Sequence, residues 1–331
     1  MKSQILLCIC VFYLLFTANA TIHTVSADLN HPAQYTTLQA AHDAANAGDT
    51  IQFYSLSNAP TLTISKRLVI VGDGYTDLPE YGPTLIFTAA SNGSILMDGA
   101  FYTVRVSADC ALSIRNCFIR YFNNSSADLV TDIIAIQCIL QNISFSATGA
   151  YSSNLSFHNC IFIPNTSGEI QLSTLGFIEY NHCNFMGAIN ENNFFANNTF
   201  LNSIFLSANA DYCNNSSSQF QNNLFLTPTC NQADTLNGNI FSSIAPFINP
   251  DFTNLNLTNL ELIASSEGNN AADDGTDIGV GGGTYAWPIS FHYGVRAPGL
   301  PKVASLLLSN GTIGLSDDLQ IQSQGTIPSN N

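Results

Sequence analysis

Apolar and polar positions along the chain recur in phase over seven successive units. The file that sets the register is Cys117, Cys138, Cys160, Cys183, Ser203, Asn223 and Asn239, with steps of 21, 22, 23, 20, 20 and 16 residues. Two positions after each anchor stand Ile119, Leu140, Phe162, Phe185, Phe205, Phe225 and Phe241. Three positions before it stand Ile114, Ala135, Phe157, Tyr180, Phe200, Phe220 and Leu236. The residue just before the anchor is Asn116, Gln137, Asn159, His182, Asn202, Asn222 or Gly238. Inside a unit, short β-prone runs are broken by Asn, Ser and Gly, and no helical spacing fits.

One such unit cannot close a core alone, but stacked units bury a continuous interior. The pattern therefore predicts an all-β parallel β-solenoid with coils of about 22 residues. Like residues then lie above like, so the Phe file becomes a buried ladder and the Cys file a stack of thiols on the inner wall. Parallel strands are about 4.8 Å apart, which leaves two readings open for the thiols. Unpaired buried thiols are the simpler one, and disulfides between neighbouring rungs the other. The polar column before the anchor suits bends, because Asn tolerates left-handed backbone angles.

The ends of a solenoid need protection. Residues 36–45 have high helix propensity, with Leu38, Ala41 and Ala45 on one stripe, Thr36 or Thr37 as N-cap and Gly48 as terminator. An amphipathic helix across the open end is expected, followed by strands beginning at Thr50 and Leu68. The stretches Tyr35–Ala41, Ala47–Ile51 and Ser65–Ile70 resemble secreted right-handed parallel β-helix proteins of the pectate-lyase-like superfold, including the mostly uncharacterised exported bacterial ones. Asn249–Phe252 and Gly275–Gly279 resemble that family's last coil. The resemblance implies a β-helix over 56–283, an N-terminal cap and first strand over 21–55, and a linker with a short C-terminal β-tail over 284–331.

Residues 1–20 read as a signal peptide. Lys2 precedes the apolar run Ile5–Phe16, and Ala18-Asn19-Ala20 matches a small-x-small cleavage site. That run spans about 18 Å as a helix, against roughly 30 Å of hydrocarbon, so no membrane insertion is expected after cleavage. A secreted or cell-surface location follows. The 8 Lys+Arg and 23 Asp+Glu give a net charge of -15, with only 9% of residues charged. Nucleic acid is excluded as a partner by the absence of a basic stripe. A surface of amides and hydroxyls, from 37 asparagines among other residues, suits contact with a glycan or cell-surface polymer. Sequons such as those at Asn92, Asn142 and Asn154 are in part a product of that composition.

Chemistry is harder to find. The resemblance implies, for hydrolases of the superfold, Asn-Thr-Asp, Gly-His-Gly and Arg-Ile-Lys signatures, and none occurs here. For its lyases it implies calcium-binding carboxylates beside a basic residue that removes a sugar proton. Arg105, Arg115 and Arg120 are the only basic residues between Arg67 and Arg296, with Asp109, Asp128 and Asp132 within a coil of them. Arg115 beside Asp132 is the catalytic candidate, its bland counterpart being a solvated ion pair. Asp273, Asp274 and Asp277 are calcium candidates, their bland counterpart an acidic turn, since the spacing is not that of an EF-hand. No other cofactor is expected. His158 and His182 fall in different columns and read as surface histidines. The balance favours a non-catalytic extracellular or cell-surface role: structural, adhesive or carbohydrate-contacting. The alternative is a calcium-dependent polysaccharide lyase acting on an acidic glycan.

Overall fold

A computed structural model describes residues 20–28, 32–54, 61–74, 82–107, 110–124, 130–145, 152–165, 169–189, 195–196, 198–206, 218–226, 237–247, 260–287, 302–308 and 321–326. The chain winds as an all-β parallel solenoid, with all its coil strands joined in register from Ile22 to Phe241. One face stacks Ile22–Ser26, Thr50–Tyr54, Val69–Val71, Ser94–Met97, Leu112–Arg115, Thr131–Ile136 and Ser152–His158, then continues through Asn181, Leu201 and Gln221. The second face stacks Leu62–Ile64, Thr84–Phe87, Ala100–Val106, Phe118–Asn124 and Ile139–Phe145, then the Phe162, Phe185, Phe205, Phe225 and Phe241 rungs.

The two apolar files become two aromatic ladders. Phe162, Phe185, Phe205 and Phe225 stack with ring centroids 4.6, 4.6 and 4.7 Å apart and nearly parallel planes. Across the interior, Phe157, Tyr180, Phe200 and Phe220 stack at 5.2, 4.8 and 4.9 Å. The ladders meet edge to face, as at Phe162–Tyr180 and Phe185–Phe200. Rung spacing and the preferred offset stacking distance nearly coincide, so each ring finds its partner without distorting the backbone ladder. Leu236, which the pattern placed in the second file, lies outside the described residues.

The anchor file is fully internal and changes chemistry along its length. Cys117, Cys138, Cys160 and Cys183 are free and have no solvent exposure. Each thiol donates to a nearby carbonyl, as Cys117 Sγ does to Arg115 O at 3.1 Å and Cys138 Sγ to Ile136 O at 3.3 Å. Burial, and then the neighbouring Cys138 thiol, pushes the Cys117 and Cys160 thiols well above their ordinary range. Of the two readings of the thiols, the geometry takes the unpaired one for these four. Cys213 and Cys230 lie outside the described residues. At Ser203 the file turns polar. Ser203 N donates to Asn223 Oδ1 at 2.9 Å, Asn223 N donates to Asn239 Oδ1 at 3.1 Å, and Asn223 Nδ2 donates to Phe200 O at 2.9 Å. These amides sit in an apolar interior because their oxygens and nitrogens are hydrogen-bonded to the rung before.

The residue before each anchor turns the corner between faces. Asn116, Gln137, Asn159, His182, Asn202 and Asn222 have φ between 50° and 53°, and Gly238 has 73°. The same left-handed angle appears one coil earlier at Asp98, with φ of 52°. The interstrand ladder continues through the bend, as Asn159 N donates to Asn181 O at 2.9 Å.

The cap is a helix over Leu38–Ala44, with Thr37 Oγ1 accepting from Ala40 N. Leu38, Ala41 and Ala45 enter the main core. The helix stops at Ala45, which is extended, three residues before Gly48, so the expected glycine terminator is displaced. Lys66 Nζ donates to His42 O and Ala45 O, each at 2.8 Å, and so satisfies the orphan carbonyls that Gly48 was expected to cap. A strand over Ile22–Ser26 precedes the helix and pairs with Thr50–Tyr54. At the other end of the chain, Lys302–Leu308 and Ile321–Thr326 form a two-stranded antiparallel sheet.

Two measurements check this interior. Phe185→Ala interrupts the ladder and is expected to cost about 3–5 kcal/mol in denaturant unfolding. Peptide mapping after thiol labelling should find Cys117, Cys138, Cys160 and Cys183 unmodified in native protein and modified once it is unfolded.

Candidate functional site

Arg115 ends its strand opposite Met97 and Ile136 and is exposed. Asp132 lies four residues before Ile136 on the neighbouring strand, with φ of 57°. That separation is roughly 13 Å along the strand. The expected stacking of Arg115 on Asp132 is therefore corrected: register places Ile136, not Asp132, over Arg115. Asp109 and Asp128 lie outside the described residues.

The three acidic candidates near the C-terminus do not point at a common centre. Asp273 Oδ1 accepts from Asn202 Nδ2 at 2.8 Å, while Asp273 N donates to Asn202 Oδ1 at 3.1 Å. Asp274 Oδ1 accepts from Thr276 Oγ1 at 2.6 Å and Thr276 N at 3.0 Å, and its other oxygen lies 3.5 Å from His182 Nε2. The Thr276 hydroxyl is the main cause that holds the Asp274 carboxyl below its ordinary value. Asp277 Oδ1 accepts from Asn270 N. Among the described residues no group of three or more His, Cys, Asp or Glu converges as a metal site.

These carboxylates belong to a strap. Residues 260–287, expected to complete the last coil and begin a linker, instead run back along the bends of earlier coils. Gly279 N donates to Asn202 O, Val280 N to Asn184 Oδ1, and Asn159 Nδ2 to Val280 O and Gly282 O. Trp287 Nε1 donates to Asn159 O at 2.6 Å, and Gln137 Nε2 to Ala286 O at 3.1 Å. Tyr285 packs on His158, whose imidazole burial pushes below its ordinary value. Leu260, Ala272, Ile278, Val280 and Trp287 cover an outer apolar file of Phe118, Ile139, Ile161, Ile204 and Leu224. The histidines read as surface residues are thus partly or wholly covered, His182 to 4% exposure.

The open chemistry lies on the outside of the second face, on the third and fourth of its strands. The strands Ala100–Val106 and Phe118–Asn124 pair so that Thr103 faces Tyr121 and Arg105 faces Asn123. Phe101, Val104, Val106 and Phe122 turn inward, which leaves Arg105, Tyr121 and Asn123 outward. The Tyr102 and Tyr121 rings meet edge to face at 5.2 Å. The Arg120 guanidinium carbon lies 5.5 Å from the Tyr102 centroid and 5.7 Å from that of Tyr121. Arg105 Nε donates to Asn123 Oδ1 at 3.0 Å. Asn142 Nδ2 donates to Arg120 O at 3.1 Å and is 8% exposed, so the sequon at Asn142 faces the fold rather than solvent. Two flat aromatic surfaces and two guanidinium groups thus share one face of a chain whose net charge is -15. Such a surface offers ring faces for apolar sugar faces and fork donors for carboxylates or hydroxyls.

The sequence pointed at Arg105 and Arg120 only as members of a sparse basic set. The placing of Arg120 beside Tyr102 was visible in one signal: the two are 18 residues apart, as are Phe101 and Ile119, which face each other in neighbouring coils.

No family model matches the chain, and no curated protein matches it. Among solved structures it is similar to the pectin methylesterase of Aspergillus niger, at 14% identity and a TM-score of 0.32, over 75% of this chain and 98% of that one. A likeness this distant bears on neither substrate nor activity. No helix among the described residues is long and apolar enough to cross a membrane.

Trp287→Ala tests the strap. It is expected to destabilise the protein by about 3 kcal/mol in denaturant and to open residues 260–287 to limited proteolysis.

Proposed function

We propose that the protein is a non-catalytic β-helix of the extracellular space or cell surface that contacts a carboxylate-bearing glycan through Tyr102, Tyr121, Arg120 and Arg105. The observation that carries this reading is the Arg120 guanidinium held against two tyrosine rings on an outward sheet face. A guanidinium in that setting is oriented before a ligand arrives, so less side-chain entropy is lost on contact. The rest of the chain is acidic and opposes a polyanion at long range. At physiological ionic strength the Debye length is about 8 Å, so the local donors decide.

Among the described residues, no hydrogen bond or ion pair joins a carboxylate or an imidazole to Tyr102, Tyr121, Arg120 or Arg105. Arg115, the basic residue weighed for proton abstraction, stands on the other face and opposite apolar neighbours. The lyase alternative therefore draws no support from the described geometry.

Binding of uronate-containing and neutral oligosaccharides by titration calorimetry tests the proposal. Arg120→Ala and Tyr121→Ala are each expected to weaken uronate binding about tenfold, equivalent to roughly 1.4 kcal/mol. Arg115→Ala should leave binding unchanged. Release of an unsaturated, ultraviolet-absorbing product, or full affinity in both cluster variants, would overturn the reading.

A further inference from the structure

Asp49 is a carboxylate almost out of solvent, at 4% exposure, in a short turn between the cap helix and the second strand. Its oxygens are shared among three groups. Oδ2 accepts from Asn46 N at 2.7 Å and lies 3.1 Å from His23 Nε2. Oδ1 accepts from Thr21 N at 2.8 Å. Those contacts, Thr21 N–H first, hold the carboxyl down to about 2, so it is ionised under any ordinary condition. A buried carboxylate ordinarily sits against a full cation. Here the groups against it are two backbone N–H groups and an imidazole that can donate in either charge state.

Thr21 is also the residue that follows Ala18-Asn19-Ala20, the small-x-small sequence at the end of the apolar leader. Ala20 and Thr21 are both exposed, so the bond between them is within reach of a proteinase. Beyond Thr21 N the chain is tied into the sheet, because Thr50 N donates to Thr21 O at 2.8 Å and Ile22 pairs with Thr50. The nitrogen of Thr21 is therefore held against Asp49 by the fold.

We propose that Ala20–Thr21 is the processing site of this chain and that Asp49 is a built acceptor for the amino terminus which cleavage creates. Hydrolysis by a leader-removing endopeptidase adds water across the peptide bond. Ala20 leaves as a carboxylate, and the Thr21 nitrogen takes up protons to become an ammonium. A contact from an uncharged N–H to the Asp49 carboxylate is thereby replaced by an ammonium–carboxylate ion pair at the same position, with no movement of the strand. His23 and Asn46 N keep the second carboxylate oxygen occupied, so Oδ1 remains aimed at the new terminus. The first strand, which pairs with Thr50–Tyr54 and is bridged at Val25 to Tyr35, is pinned at its free end in the processed form.

The test uses the full chain expressed in a secreting host. Intact mass and amino-terminal sequencing should give Thr21 as the first residue. Acetylating that amine selectively should lower the Tm by at least about 2 °C. A form retaining Ala20 at its amino terminus should show the same fall. In Asp49→Asn, acetylation should make no difference to Tm. A different first residue overturns the processing site. A first residue of Thr21 with no Tm change on acetylation in the wild-type chain overturns the acceptor role, and this holds even if Asp49→Asn fails to fold.

Discussion

The architecture rests on a coincidence of lengths. Parallel strands repeat at about 4.8 Å, and aromatic rings stack well at nearly the same separation. The Phe162–Phe185–Phe205–Phe225 centroids, 4.6 to 4.7 Å apart, show that coincidence used on four successive rungs. Burial, dispersion and backbone hydrogen bonding then favour the same register, so no term has to be sacrificed for another. The anchor file follows the same rule with different chemistry. Thiols stack where the interior is apolar, and asparagines stack where each amide can serve the rung before it.

That repetition leaves two weak points, the bends and the outside of the second face. The bends are met by residues that accept left-handed angles, and their side chains become the attachment points of the strap. The outside of the second face is apolar at Phe118, Ile139, Ile161, Ile204 and Leu224, and the strap covers it. Acidic residues that looked like cation ligands are thereby used to hold a covering segment in place. The Tyr102–Tyr121–Arg120 cluster, by contrast, lies outside the strap and stays part-exposed, with the Arg120 guanidinium against both rings and its Nε buried without a partner.

Much of this was legible in the linear chain. The period, the inward Phe and Cys files, the polar bend column and the capping helix all follow from local pattern, because each rung repeats the last. One further signal was present but easily passed over. The position after the anchor is apolar in six of the seven units, at Phe118, Ile139, Ile161, Ile204, Leu224 and Ile240 with Asn184 the exception, directly before the inward apolar residue. Two successive apolar residues on a strand face opposite sides, so such a pair announces a sheet buried on both sides. Read that way, it calls for a covering layer without saying which segment supplies it.

Sequence alone thus determined the solenoid, since stacking is a relation between residues one period apart and a period can be read from a string. Tertiary structure decided which distant segments meet. Trp287 on Asn159, Asp273 on Asn202 and Asp49 at the Thr21 nitrogen join positions whose separations share no period. It also decided that Arg115 stands over Ile136 rather than Asp132, because strand register is set by the whole ladder of inward side chains and not by the charges beside it.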